Sequence, residues 1–286
     1  VVAAGLAAPA GADGLLAARV ADSLERYRFA LIRGIGQEEG TRQEAIDVLL
    51  QLGNLLGEVM PLSPLGEQIQ DVRDFSDTDD KPDTRGYRSG GEIRPHTDPA
   101  TLILLHCLTP ARTGGESVIV NVRTIHDIIE KTRPDLLAHL YENYRRWRTA
   151  GVLGDHTEGP TPFKRPVFAQ RDGVVSCAYD RDYINKGTAG AGEPLTSQQI
   201  EALDLFDSLA ISPDLVLKVR LEAGDTLVLN NNSILHARTD YQDWPDASRR
   251  RHLLRVWVHA PHRFPVAAPH EFGNMYAVRT TPSPPA

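Results

Sequence analysis

Two segments far apart in the chain carry side chains that could hold one metal ion. In His96-Thr-Asp98, the first and third residues point to the same side if the segment is extended. The second segment is an apolar run with an Asn-rich turn that ends in His236. Two histidines and one carboxylate on one face of iron(II) leave positions open for a cosubstrate and for oxygen. The sequence therefore indicates an iron site formed by His96, Asp98 and His236.

Two alternative interpretations of these residues stay open. Chance alone predicts about one His-x-acid pattern in a chain of this composition, and a second one occurs at His156-Thr-Glu158. His96 directly precedes a buried-strand pattern, whereas His156 lies between glycines with no strand pattern on either side. His96 and Asp98 could still be a surface polar pair at a turn. His236 could be a histidine whose hydrogen bonds are satisfied in the core.

Arginines follow His236 on a strand-like segment. If that segment is extended, Arg251, Leu253, Arg255 and Trp257 share one face. An arginine inside a barrel is costly unless its guanidinium meets an anion, and a carboxylate can bind it through two hydrogen bonds. The pattern therefore predicts an anion site at Arg251. An exposed edge strand with solvated arginines is the alternative.

The elements that must position these residues are mainly short strands, with helices before and between them. Predicted strands are 29–32, 101–108, 118–120, 167–168, 174–179, 216–221, 226–229, 233–236 and 252–258, and predicted helices are 15–27, 38–56, 124–131, 134–144 and 197–210. Strands and helices do not alternate strictly, and we find no Gly-rich nucleotide loop. The pattern favours a mixed, β-rich fold: a double-stranded β-helix (jelly-roll, cupin-like) core decorated by α-helices.

The domain organisation follows from length and local composition. A chain of 286 residues with 41% hydrophobic residues can bury a sizeable core, and we predict a single domain over 1–286. Two segments, near 76–95 and 186–194, are rich in Gly and polar residues, and we predict that they are lids. The first lies directly ahead of His96.

Composition also limits the partners and the location. With 38 acidic and 31 basic residues the formal charge is -7, and no long basic block is present, so nucleic acid is not an expected partner. No run of about 18 apolar residues indicates a membrane span. The first residues lack the basic start of a signal peptide, and the two cysteines, Cys107 and Cys177, do not suggest a disulfide framework. A cytoplasmic location is expected.

Four motifs in sequence resemble the taurine dioxygenase-like (TauD/TfdA) family of Fe(II)/2-oxoglutarate-dependent oxygenases. They lie between about 86 and 258, more than half of the chain. The motifs are Arg94-Pro-His-Thr-Asp98, Thr113-Gly-Gly-Glu-Ser117, Gly224-Asp-Thr-Leu-Val-Leu-Asn-Asn-Asn-Ser-Ile-Leu-His236 and Arg250-Arg-His-Leu-Leu-Arg255. Each motif alone is modest, but the four in this order are specific.

The resemblance assigns roles to individual residues. It implies that His96, Asp98 and His236 bind Fe(II) and that Arg251 pairs with the distal carboxylate of 2-oxoglutarate. Ser117 stands where the family often has a threonine whose hydroxyl touches the same carboxylate. Arg255 matches a family arginine near the boundary between substrate and cosubstrate.

The resemblance also implies the reaction. With O2, 2-oxoglutarate is converted to succinate and CO2 while a small-molecule substrate is hydroxylated. We expect a small polar metabolite, either an amino acid or an acidic compound. Candidate substrate contacts are Tyr87, Arg94, Tyr179 and Arg181. Arg255, together with Arg94 or Arg181, would favour a substrate with an acidic group.

Other functions remain compatible with the same residues. A non-catalytic cupin-like protein could use the barrel to bind a metal or ligand, and a zinc-dependent isomerase or hydrolase could use a similar ligand set. Within the oxygenase class, a desaturase or cyclase would have the same metal ligands. A homo-oligomer is an open alternative to a monomer.

Overall fold

The computed structural model describes residues 14–35, 41–62, 66–75, 90–149 and 158–270. Its helices are α1 (Gly14–Tyr27), α2 (Arg42–Leu56), α3 (Val122–Thr132), α4 (Pro134–Leu140), α5 (Arg181–Gly190) and α6 (Ser197–Ala210). Its strands are β1 (Phe29–Ile32), β2 (Glu58–Met60), β3 (Gln70–Val72), β4 (Ile93–His96), β5 (Leu102–Thr109), β6 (Thr113–Gly114), β7 (Ser117–Asn121), β8 (Tyr144–Arg148), β9 (Gly159–Arg165), β10 (Phe168–Arg171), β11 (Val174–Cys177), β12 (Val216–Val219), β13 (Thr226–Asn230), β14 (Ile234–Arg238), β15 (Tyr241–Gln242) and β16 (His252–His259).

Two antiparallel sheets form the centre of the fold. The larger sheet has the order β1-β13-β5-β16-β2, with β3 also paired to β16, and the smaller has the order β12-β7-β14-β4. One apolar cluster joins them, since it includes Ile103 and Leu227 from the larger sheet and Ile119 and Ile234 from the smaller. The predicted β-helix core decorated by helices is confirmed. Strand β16 is interior to its sheet, so the exposed edge-strand alternative for its arginines is wrong.

Helices cover the outer face of each sheet. Residues of α1 and α2 pack with Leu254, Val256 and Val258 of β16. Residues of α3, α4 and α6 pack with Val120 and Leu235 of the smaller sheet. Within the described part of the chain, none of the helices has the length and apolar character needed to cross a membrane.

Strand periodicity decides which side chains of β16 face the space between the sheets. Leu253 and Trp257 join the cluster between the sheets, whereas the alternate residues pack beneath α1 and α2. Because successive side chains of a strand point to opposite faces, Arg251 and Arg255 lie on the same side as Leu253. The predicted alternation along this segment is confirmed.

The region from 134 to 194 departs from the predicted elements, and two of the differences concern helices. The helix predicted to reach 144 ends at Leu140, because Tyr144 enters the core beneath α6 and begins a strand that pairs with β9. The Gly-rich segment 186–194 is helical up to Gly190, and its role as a lid stays a prediction. A Cβ on Gly187 would lie 2.2 Å from the carbonyl carbon of Arg146, so this glycine allows α5 to pack directly on the backbone of β8. Of the first predicted lid, 76–89 lies outside the described residues.

Candidate metal centre and cosubstrate pocket

The three predicted metal ligands converge at one end of the smaller sheet. His96 on β4 pairs in register with His236 on β14, and Asp98 follows β4 directly. Nε2 of His96 lies 3.7 Å from Oδ1 of Asp98, and Nε2 of His236 lies 3.8 Å from Oδ2 of the same carboxylate. One candidate ligand atom from each residue lies within 4.8 Å of the other two. This spacing fits a single ion at the centre of the group.

Burial and nearby charges give His236 and Asp98 the protonation states that metal binding requires. Burial lowers the pKa of His236 to about 3, so its imidazole is neutral at physiological pH. Burial by itself would raise the pKa of Asp98, but Arg255, the two imidazoles and the hydrogen bond from Trp257 together outweigh it, and the pKa falls below the ordinary value for aspartate. A neutral imidazole and an ionised carboxylate are the forms that bind a divalent cation.

The Asp98 carboxylate is held from β16. Nη1 of Arg255 donates to its Oδ2 at 2.8 Å, and the indole Nε1 of Trp257 donates to the same oxygen at 3.0 Å. Nε of Arg255 also donates to Oε1 of Gln70 at 3.1 Å. Hydrogen bonds of this kind fix the orientation of a metal ligand. Arg255 was predicted to lie near the cosubstrate, but its observed partners are Asp98 and Gln70; a further contact with cosubstrate stays a prediction.

Asn231 positions the loop that carries Asp98, a role that the sequence did not reveal. Its Oδ1 accepts from the backbone N–H of Asp98 at 2.9 Å, and its Nδ2 donates to the carbonyls of Asp98 and Ala100 at 2.6 and 2.7 Å. Asn231 is fully buried between β13 and β14. The Asn-rich run 230–232 had been interpreted only as a turn. Its central amide links that turn to the loop behind β4.

Replacing Asn231 with alanine is expected to lower the free energy of unfolding by about 2–4 kcal/mol, because buried backbone groups of Asp98 and Ala100 lose their partners. Iron affinity should fall as well, by about 10–100-fold, as for loss of an outer-shell partner. Urea denaturation and Fe(II) titration measure the two effects. Asn143→Ala, at an exposed position, is the control. An unchanged iron affinity in the Asn231 variant would contradict the positioning role.

Arg251 has the surroundings of an anion site. It is 3% exposed, and its guanidinium carbon lies 5.0 Å from the ring centre of Tyr241. Within the described residues it forms no ion pair, and its buried Nη1 has no hydrogen-bond partner. A Cβ on Gly115 would lie 3.2 Å from its Nε, so the absence of a side chain there leaves room for the guanidinium. A buried donor of this kind fits the carboxylate of 2-oxoglutarate.

The metal ligands and Arg251 line one cavity of about 570 Å³. Ser117, on β7, is buried and lines the same cavity; its contact with the cosubstrate stays a prediction. A volume of this size is typical of small-molecule sites. The cavity therefore has room for a keto-diacid and a second small molecule.

The predicted substrate contacts have different surroundings. Arg94 is exposed at the cavity wall, and Tyr87 lies outside the described residues. Tyr179 is buried, and its hydroxyl donates to Oδ1 of Asp207 at 2.5 Å. Arg181 pairs with Asp204 at 2.7 Å and with the same Asp207 at 3.0 Å. These bonds connect Tyr179 and α5 to α6 and account for both residues without a substrate. Their substrate roles stay predictions.

Comparison with known proteins agrees with this geometry. A family model described as "Taurine catabolism dioxygenase TauD, TfdA family" matches residues 4–257. FR-33289 synthase of Streptomyces rubellomurinus (strain ATCC 31215) is 30% identical over 288 residues, which cover 96% of this chain and 83% of that protein. Uridine-5'-phosphate dioxygenase of Amycolatopsis sp is 25% identical over 262 residues, which cover 87% of this chain and 92% of that protein.

A solved structure shares the fold. Asparagine oxygenase, in complex with Fe(II), 2S,3S-3-hydroxyasparagine and succinate, superposes with a TM-score of 0.65. It is 19% identical in sequence, and the match covers 87% of this chain and 80% of that one. The sequence matches and the arrangement of the site lead to one conclusion: the chain belongs to the TauD/TfdA family and is an Fe(II)/2-oxoglutarate-dependent dioxygenase.

Proposed function

We propose that this enzyme hydroxylates a small polar metabolite that carries an acidic group. The overall reaction consumes a substrate C–H bond, O2 and 2-oxoglutarate and yields the alcohol, succinate and CO2. The observation that carries the proposal is the convergence of His96, Asp98 and His236 in a cavity that Arg251 also lines, with an Nη1 that bonds none of the described residues. Iron bound by the triad supplies the oxygen-activating chemistry.

Each side chain has a defined task in this proposal. His96, Asp98 and His236 hold the metal, and Arg251 orients 2-oxoglutarate by its distal carboxylate. The buried hydroxyl of Ser117 donates to the same carboxylate. Arg255 holds the Asp98 carboxylate in place, which is supported by its 2.8 Å hydrogen bond. The single domain over 1–286 and a homo-oligomeric state remain predictions.

Charge in the cavity supports an acidic substrate. Basic residues predominate along its wall, among them Arg94, Arg146, Arg148, Arg165 and Lys186. The name of the uridine-5'-phosphate dioxygenase relative specifies a phosphorylated compound. Arg255 and Arg181, which the sequence suggested for this task, already pair with aspartates. The other basic residues that line the cavity are therefore better placed to select an anion.

The proposal can be tested in two stages. Anaerobic addition of Fe(II) and 2-oxoglutarate should produce a weak visible charge-transfer band, which a zinc hydrolase would not give. Absence of both the band and calorimetric binding of 2-oxoglutarate would contradict the proposal and favour a non-catalytic binding protein. With O2, a screen of amino acids, phosphonates, phosphates and sulfonates should then identify a substrate that stimulates succinate formation. A product one oxygen atom heavier indicates hydroxylation, and one two hydrogen atoms lighter indicates desaturation or cyclisation.

A further inference from the structure

A second arginine, which is partly buried, lines the same cavity as Arg251. Arg146 lies on β8, and its Nη2 donates to the carbonyl oxygens of Ala178 at 2.8 Å and Pro166 at 3.3 Å. Its Nη1 is shielded from solvent and has no hydrogen-bond partner within the described ranges. Arg146 lines the cavity, and its guanidinium keeps one donor that bonds none of the described residues, as that of Arg251 does.

No carboxylate of the described residues forms an ion pair with Arg146. The nearby Asp180 caps α5, where its side chain accepts from the backbone N–H of Tyr183 at 3.0 Å. Burial lowers the pKa of Arg146 to about 10, so the guanidinium still carries its charge at neutral pH. A buried charge with only carbonyl partners is costly unless an anion approaches it.

The neighbouring arginine on the same strand, Arg145, differs from Arg146 in having a carboxylate partner. Arg145 points to the other side of β8, where its Nη2 pairs with Glu193 at 2.7 Å and its Nη1 donates to the carbonyl of Thr161 at 2.9 Å. It does not line the cavity. Successive residues of one strand thus present one arginine with a carboxylate partner and one, Arg146, without.

Hydrogen bonds link Arg146 to the segment that carries two of the metal ligands. It donates to the carbonyl of Ala178, and the next residue, Tyr179, forms three hydrogen bonds with Thr97: one between backbone groups at 2.8 Å and two that involve the threonine hydroxyl, at 2.9 and 3.4 Å. Thr97 stands between His96 and Asp98. Arg146, His96 and Asp98 all line the same cavity, so an anion held at Arg146 would share that cavity with the metal site. Arg251 instead lies against Tyr241 and Gly115, so the two arginines serve different parts of the cavity.

We infer that Arg146 anchors an oxyanion subsite for the substrate, which takes a carboxylate, phosphonate, phosphate or sulfonate group while Arg251 holds the cosubstrate. The inference rests on the proposed function, because it assigns 2-oxoglutarate to Arg251. Arg148, Arg165 and Lys186 line the same side of the cavity and add positive charge around the subsite. The rings of Trp147 and Phe163 also line this side and provide apolar contacts for the rest of the molecule.

The test uses small anions as probes on the protein loaded anaerobically with Fe(II) and 2-oxoglutarate. Acetate, methylphosphonate and methanesulfonate are titrated by calorimetry, with acetamide as the neutral probe. We expect saturable binding of at least one anion, stronger than that of acetamide, and the strongest of the three identifies the group. In Arg146→Met its affinity should fall by about tenfold or more, the loss expected for a charge-assisted hydrogen bond. In Arg145→Met it should be unchanged.

Arg146 also donates hydrogen bonds to the carbonyls of Pro166 and Ala178, so its loss could change the local structure as well as anion binding. A second variant distinguishes these two effects. Arg146→Lys keeps the charge and should recover part of the anion affinity that Arg146→Met loses. In both variants the charge-transfer band with 2-oxoglutarate should be retained. Equal binding of acetamide and all anions, or equal anion binding by wild type and Arg146→Met, would overturn the inference. A missing band in the wild-type protein would instead overturn the proposed function.

Discussion

Replacing His236 with alanine is expected to abolish succinate formation and to weaken Fe(II) binding by more than the roughly 10–100-fold that loss of an outer-shell partner costs. The imidazole lies opposite His96 on the neighbouring strand and within reach of Asp98, so its loss removes one of three ligands and no described side chain replaces it. Anaerobic Fe(II) titration and the charge-transfer band with 2-oxoglutarate measure the effect.

The fold should survive this change. His236 lies at the cavity wall rather than in an apolar cluster, and truncation leaves no charge unpaired because the ring is neutral. We expect the free energy of unfolding to fall by only about 1–2 kcal/mol, an ordinary value for a buried substitution. His262→Ala, which removes an exposed histidine outside the cavity, should change neither property. Iron binding of wild-type strength in His236→Ala would show that another set of ligands holds the metal.

The metal triad was predictable because each of its parts depends on a local rule. Alternation along an extended chain places His96 and Asp98 on one side whatever the rest of the fold does. The same period of two assigned Arg251 and Arg255 to the face opposite Val256, since a shift by one residue would expose the whole apolar set. Residue spacing alone does not predict that His236 lies beside His96 and Asp98. That prediction came from the motifs of the family.

The roles of residues that depend on distant partners could not be predicted from the sequence. Asn231 holds a backbone segment 133 residues earlier in the chain, and an asparagine in a turn has many other uses. The predicted face of Arg255 is correct, but the face of a strand does not identify the partner of a side chain. The partner, Asp98, can be identified only from the structure, in which β16 lies beside β5. Both residues act through hydrogen bonds that exist only in the assembled barrel.

The Gly-rich segment 186–194 shows that composition, too, is an ambiguous guide to structure. The glycines between 186 and 194 indicated a loop, yet Gly187 is helical and allows α5 to approach the backbone of Arg146. A glycine needed for close packing and one needed for a turn are alike in a single sequence. The sequence therefore did not predict the helix at 186–190, and it overlooked Arg146 on the strand against which that helix packs.

Replacing Arg251 with methionine is expected to remove most of the affinity for 2-oxoglutarate, by about 100-fold or more, while Fe(II) binding is retained. The carboxylate would lose a pair of charge-assisted hydrogen bonds, each worth about 1.5–3 kcal/mol. Titration of the charge-transfer band with 2-oxoglutarate measures the affinity. The KM for 2-oxoglutarate in succinate formation should rise in parallel.

The sequence provides a close control for this change. Arg249 lies two residues earlier in the same run of three arginines, but it is exposed and its guanidinium carbon is 3.8 Å from the ring centre of Trp244. Arg249→Met should leave both the affinity for 2-oxoglutarate and the KM unchanged. Equal effects of the two substitutions would indicate general electrostatic attraction rather than a carboxylate site at Arg251.

Stability provides an independent measure of the same site. Without an anion, the buried guanidinium of Arg251 forms no ion pair with any described residue, so Arg251→Met should leave the metal-loaded protein at least as stable as wild type in the absence of 2-oxoglutarate. At about 100 times the dissociation constant, 2-oxoglutarate should stabilise wild type by about 2.7 kcal/mol and the variant far less. The order of stabilities would then reverse when cosubstrate is added. A cation needed only for packing would give no reversal, because its loss would destabilise the protein equally under both conditions.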